Sequence, residues 1–348
     1  MIDFFQNDTD ENRQSLLGRA RKVALLALQQ FDVEWTGIRF IQLSDTITYK
    51  IETDTAACYL LRIHSDRWSE LEIRSELALL HVLNKSEDLN VPEGLESRDG
   101  SYVVKINTES GYRQPYVTMM KWVEGEHGSG EFTDSTVYNI GVVTGRLHEA
   151  AARFTPPSDF VRPAWGADSF RKEMVKLKQY YSCFLSEEAW GKYQMAAEKV
   201  LSELAVMQQT EQNYGLIHGD LHTGNIVFIG DEPLPIDFGR CGYGYYLYDV
   251  ASTLLGLHPE HRRILIQGYE SVRKLEAGYV QQLECFFIMV MIGNYSHHCS
   301  DPRETSGLID EQQYAQAYIG QFLNGQPFLF DVIEPVEIDR SAIGGSLL

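Results

Sequence analysis

The sequence predicts an α+β chain in two lobes, a smaller one built on an antiparallel sheet and a larger, mostly helical one. Three observations carry that expectation. Runs rich in β-branched residues crowd between Ile38 and Met120. Gly125, Gly128 and Gly130 then sit among charges in the stretch 123–132. From Val137 to His298, apolar residues recur largely at helical spacing. The lobes are accordingly placed at residues 1–121 and 122–334, and the remainder, 335–348, has no periodicity and reads as a loose tail.

In chain order, residues 13–31 place Leu16, Leu17, Ala20, Val23, Ala24, Ala27, Leu28 and Phe31 at the three-and-four spacing of an amphipathic helix. Strands are predicted over 38–43, 46–52 and 58–64, with Asp54-Thr55 turning between the last two. Ser69 is the expected N-cap of a helix over 69–84 that gathers Leu71, Ile73, Leu77, Leu80 and Leu83 largely on one face. Two further strands, 101–106 and 116–120, bracket a turn-rich segment. In the second lobe the helical segments are 137–153, 169–181, 187–209, 250–257, 259–277 and 279–298. No internal repeat or low-complexity block is present.

Composition excludes several function classes. With 30 Lys+Arg against 49 Asp+Glu, the net charge of −19 repels polyanions, so no nucleic-acid partner is expected. The acidic start, including the solvated run 8–12, is unlike a secretory leader. The longest apolar run, 285–292, is far shorter than the ~20 residues a membrane span needs. Five scattered cysteines form no CxxC pair, against a disulfide framework or cysteine zinc site. The expectation is a soluble, cytoplasmic protein without a membrane partner.

The chemistry concentrates in LIHGDLHTGNIVFIGDEPLPIDFG, residues 216–239. Residues 225–229 and 234–237 read as two short strands around a turn. Asn225 and Asp237 are equidistant from Asp231 at its centre, so a hairpin brings an amide oxygen and a carboxylate together at its open end. Two hard oxygen ligands suit Mg²⁺, which completes its shell with water and phosphate oxygens. Asp220, on the loop feeding this hairpin, is placed to accept a proton from a substrate hydroxyl and aim it at phosphorus. The pattern spells phosphoryl transfer.

At these residues the chain resembles the aminoglycoside phosphotransferase and choline kinase family, distant relatives of the protein kinases. HGDLHTGN followed by IDFG is similar to a catalytic loop with its Asp, a metal-binding Asn five residues on, and a metal-binding Asp in DFG. The resemblance implies a two-lobed protein-kinase-like fold, ATP and Mg²⁺ as cofactors, and a small hydroxylated molecule as acceptor. Carried over residue by residue, it implies that Arg62 contacts the ATP phosphates and that Glu76 holds its guanidinium. Met120 and Trp122, in the hinge-like stretch 119–123, offer backbone to adenine. GRLHEAA (145–151) is similar to a family helix motif. His222 stands where protein kinases carry a Lys near the γ-phosphate, and enters the catalytic set beside Asp220. Loop 43–48 lacks the glycines of a protein-kinase phosphate cover, so Ser44 and Thr46 would act through hydroxyls and backbone N–H.

Other readings weigh against these. His218-x-Asp220-x-His222 has the alternation of a zinc hydrolase site, although that leaves the placement of Asn225 and Asp237 unexplained. His218 reads better as a structural brace of the loop, and Asp249 as a helix N-cap. Tyr243, Tyr245, Tyr246 and Tyr248 suit packing or a pocket wall, and Trp122 and Trp165 are equally ambiguous. Some family members resemble bacterial Ser/Thr protein kinases. The acceptor stays open among aminoglycoside, choline, homoserine and similar metabolites.

Overall fold

A computed structural model describes residues 2–6, 9–108, 111–128 and 131–344. Asp8 of the acidic run, Gly130 and the last four residues of the tail lie outside the described residues. The chain divides into two compact units. The first takes Met1–Glu126 and also Arg153–Arg162 and Leu234–Gly239; the second takes the rest.

The first unit opens with α1 (Asp10–Leu28), capped by the Thr9 hydroxyl, which accepts the Asn12 N–H at 3.1 Å. Its apolar stripe, including Leu16, Ala20, Val23 and Ala27, is buried in one core with Ile47, Ile51, Leu61, Ile63, Val117 and Met119. These last come from β2 (Thr46–Thr53), β3 (Cys58–His64) and β5 (Tyr116–Lys121), which with β1 (Trp35–Leu43) and β4 (Val104–Lys105) form an antiparallel sheet in the order β1-β2-β3-β5-β4. The expected strand over 101–106 shrinks to β4, because Ser97, Asp99 and Ser101 close a side-chain-bonded turn before it. Helix α2 (Glu70–Leu83) starts at a capping box in which Ser69 and Glu72 satisfy each other's backbone N–H. Ile73, Leu77, Leu80 and Leu83 are buried, but Leu71 is 44% exposed, since the helical repeat turns it to the face opposite Ile73 and Leu80.

β6 (Glu126–His127) leads into the second unit, which is helical: α3 (Asp134–Ala152), α4 (Ala167–Tyr180), α5 (Glu187–Val206), α6 (Tyr246–Leu254), α7 (Pro259–Val272), α8 (Tyr279–His298) and α9 (Thr305–Asn324). Its short strands are β7 (Ala164–Trp165), β8 (Tyr214–Ile217), β9 (Ile226–Ile229) and β11 (Gly242–Tyr245), while β10 (Glu232–Pro235) begins in this unit and ends in the first. β11 lies between β7 and β8. Helices α3 and α7 meet at two glycines: a Cβ on Gly141 would stand 2.0 Å from the Leu265 carbonyl, and one on Gly268 2.0 Å from that of Tyr138. Only hydrogen fits there.

The run 285–292 lies in α8, buried on nearly every side, which is why it shows no amphipathic stripe. Among the described residues no helix is long and apolar enough to cross a membrane. The sequence reading missed α9. Its buried face includes Gln312, fully enclosed and accepting the Tyr193 O–H at 2.8 Å, so a polar residue at a core position breaks the apolar period.

Candidate active site

In the first unit, β3 carries Arg62 and α2 carries Glu76, 4% and 2% exposed. The Arg62 NH1 to Glu76 Oε1 separation is 2.5 Å, a buried ion pair joining sheet to helix. Asp237 Oδ1 lies 3.8 Å from Arg62 NH2. Asp237 has φ 59°, the left-handed region that costs a non-glycine residue strain. Two contacts hold that conformation. Asp237 Oδ1 accepts the Gly239 N–H at 3.4 Å, and Arg162 donates to the Gly239 carbonyl at 2.6 Å while also donating to the Glu72 carbonyl on α2. Asp237 therefore stands two residues past β10 on a bent segment, not at the end of a strand as expected.

Ser44 is exposed on the β1–β2 turn, its N–H donating to the Thr46 carbonyl. Thr46 faces inward, 5% exposed, and its hydroxyl pairs with that of Thr48 at 3.3 Å. In the hinge-like stretch, Met120 is buried, and the N–H groups of Lys121 and Trp122 already donate to the carbonyls of Glu93 and Cys58. The Trp122 ring lies 4.3 Å from Lys50 Nζ.

In the second unit, the loop after β8 carries His218, Gly219, Asp220 and His222. Asp220 is partly exposed; its carbonyl accepts the Asn225 side-chain N–H at 2.9 Å, and its Oδ2 lies 3.3 Å from the same nitrogen. Because Asn225 spends its amide nitrogen on Asp220, its amide oxygen remains for a cation. Asn225 closes a 3-10 turn, Thr223–Asn225, rather than opening β9. His222 N-caps that turn, its Nδ1 accepting the Gly224 N–H at 3.1 Å, so the neutral ring carries its proton on Nε2. Arg240 NH1 stands 3.8 Å from Asp220 Oδ1, and its guanidinium lies over the Trp165 ring.

The residue that organises this loop is Asp249, which was expected to be an N-cap. Helix α6 starts earlier, at Tyr246, and Asp249 is enclosed in its first turn. It accepts the N–H groups of His218 at 2.6 Å and Gly219 at 2.8 Å. His148, from the GRLHEAA segment, contacts it through Nε2 at 3.2 Å and meets the Tyr269 hydroxyl through Nδ1 at 2.9 Å. Burial pulls the His148 pKa below its usual value despite the nearby carboxylate, so the ring is neutral and donates from Nε2. The only signal in sequence was an Asp near the start of an apolar helix, which reads equally as a cap.

Of the tyrosine cluster, Tyr245, Tyr246 and Tyr248 are buried and Tyr243 is half-buried. Tyr248 stacks near Trp165 and faces a cavity of about 770 Å³ within this unit, whose wall also includes Asp220, His222 and Arg240. Among the described residues no group of three or more His, Cys, Asp and Glu side chains gathers as a metal cage, so the zinc reading of the HxDxH triplet lacks a ligand set.

The pattern that defines the phosphotransferase enzyme family matches residues 38–279. The chain belongs to that family. This phosphotransferase is 26% identical over 281 residues to an uncharacterised protein of Synechocystis sp., covering 78% of this chain and 76% of the relative. It is 24% identical to the amicoumacin kinase of Bacillus subtilis over 62% of each chain. Its fold superposes on the microcompartment-associated aminopropanol kinase with a TM-score of 0.78 at 24% identity, spanning 89% of this chain and 99% of that one. The protein-kinase-like fold read from the DFG segment is thereby shown.

Proposed function

We propose that this phosphotransferase moves the γ-phosphate of ATP to a hydroxyl of a small molecule. The observation that carries the reading is the placement of Asp220: partly exposed, held through its backbone by Asn225, and set in the wall of a cavity of about 770 Å³. That volume is of the size that encloses small ligands, which favours a metabolite over a protein chain as acceptor. The kinase relatives that act on amicoumacin and aminopropanol support the same acceptor class.

In this reading Asp220 accepts the hydroxyl proton as the oxygen attacks phosphorus, and Arg240 tempers its charge from 3.8 Å. Arg62, fixed by Glu76, faces the phosphates as a rigid donor. Taken singly, Asn225 offers an amide oxygen and Asp237 a carboxylate, each a donor of the kind that suits Mg²⁺. The ion, bound with the nucleotide, supplies charge neutralisation on the transferring group. His222 stands in the same cavity wall as Asp220 and joins it in the catalytic set, and Ser44 and the stretch containing Met120 and Trp122 contribute to nucleotide contact.

The test is Asp220→Ala. Turnover in a coupled ADP-release assay should fall by about 10³-fold or more, while stabilisation of the protein by Mg-ATP persists. Asp237→Ala should lose that stabilisation instead. An Asp220 variant with wild-type turnover would overturn the assignment.

A further inference from the structure

The wall of the cavity that includes Asp220 also includes a buried positive charge that, among the described residues, has no negative partner. Arg262, on α7, is 2% exposed and forms part of the same wall. Its Nε–H donates to the Leu257 carbonyl, NH1 to the Leu329 carbonyl and NH2 to the Tyr318 hydroxyl, each at 2.9 Å. All three acceptors are neutral. Phe287 and Tyr318 lie against the guanidinium at 4.8 and 5.4 Å. Among the described residues no carboxylate comes within ion-pair distance of it, whereas Arg240 and Arg273 in the same unit have Asp220 and Glu149. In a chain of net charge −19, acids for such a pairing are abundant.

The structural duties of Arg262 account for three of the five N–H donors a guanidinium carries, and for none of its charge. A buried charge without a counter-ion is costly, so the site is suited to one supplied from outside. Tyr318 adds to the fit. Its oxygen already accepts from Arg262, which leaves its hydroxyl hydrogen to donate. The two remaining guanidinium N–H groups and the phenol O–H, carried by α7 and α9 in one cavity wall, match the acceptor oxygens of a carboxylate.

We propose that the acceptor is a hydroxy acid, its carboxylate held by Arg262 and Tyr318 while its hydroxyl meets Asp220. This rests on the phosphoryl-transfer reading for the hydroxyl end only; the anion end stands on Arg262. Although the chain is strongly acidic overall, the cavity selects an acceptor that carries a negative group.

The experiment uses a panel of hydroxy acids, each paired with the alcohol that lacks its carboxylate, such as homoserine with 3-aminopropan-1-ol and serine with ethanolamine. Binding is measured calorimetrically, and turnover by ADP release with Mg-ATP. At least one carboxylated member is expected to bind and react about tenfold or more better than its partner. Arg262→Lys and Tyr318→Phe should erode that preference through KM, leaving the KM for ATP unchanged. A panel in which no hydroxy acid outperforms its partner alcohol overturns the proposal, as do variants that weaken both members of a pair equally. Turnover of the decarboxylated alcohols alone would sink the hydroxy-acid assignment and leave the kinase reading standing. Carboxylate-dependent binding without ADP release from any acceptor would do the reverse. Should Arg262→Lys fail to fold, the wild-type preference and Tyr318→Phe decide the matter.

Discussion

The carboxylate of Asp249 accepts the Gly219 N–H at 2.8 Å, one residue before the proposed base. The N–H of His218 reaches the same side chain, so a group buried in α6 sets the backbone of the loop that carries Asp220. Asp249→Asn keeps the shape but loses the charge that binds two N–H groups and the His148 donor. Stability should fall by about 1–3 kcal/mol and turnover by at least tenfold, measured by denaturant unfolding and by ADP release. A variant that loses stability but keeps wild-type kcat would show that the loop does not depend on Asp249.

Gly219 itself tolerates no side chain. Its φ is 77°, and a Cβ would stand 2.4 Å from the Arg240 carbonyl and 2.6 Å from Trp165 Nε1. Gly219→Ala should displace the loop, with turnover lost to below about 1% of wild type, while ATP still raises the melting temperature.

The Arg62–Glu76 pair is buried, so removing one partner strands the other. Glu76→Gln should cost about 3 kcal/mol, the low end for a buried pair because Asp237 remains near Arg62. The double variant Arg62→Met with Glu76→Leu should recover much of that stability without recovering activity. Equal recovery of both would show that the pair is structural only.

Glu173, on α4, has its carboxylate 2.9 Å from where a Cβ of Gly293 would stand, close to Arg240, Lys176 and Tyr248. Burial pushes its pKa from 4.5 up to about 7, partly offset by Arg240 and Lys176. Between those values the folded chain binds a proton that the unfolded chain has released. The contribution of this group to stability is therefore full below pH 4.5 and is lost as pH rises through 7. Relative to wild type, Glu173→Gln should gain stability between pH 5 and pH 8, by up to about 3 kcal/mol. A difference that does not change across that range would exclude a raised pKa.

Local pattern was enough for much of the scaffold. Ser69 named the start of α2, the three-and-four spacing from Leu16 to Phe31 named α1, and β-branched runs named the sheet. The family was also legible, because HGDLHTGN and IDFG fall within one short segment of chain. These signals survive in one dimension because capping, amphipathic period and turn chemistry act over a few residues.

What the tertiary structure alone decided depends on residues far apart in the chain. His148, Asp249 and Gly219 join only once α3, α6 and the loop pack together. Gln312 hides α9 from an apolar period because its amide is satisfied by Tyr193, 119 residues away. Arg262 carries no signal of its own in sequence, yet the fold encloses it, and among the described residues no acid pairs with it. Burial converts ordinary polar residues into committed ones, since a buried charge or donor must find its partner in space. That partner is set by packing, and a linear reading has no access to it.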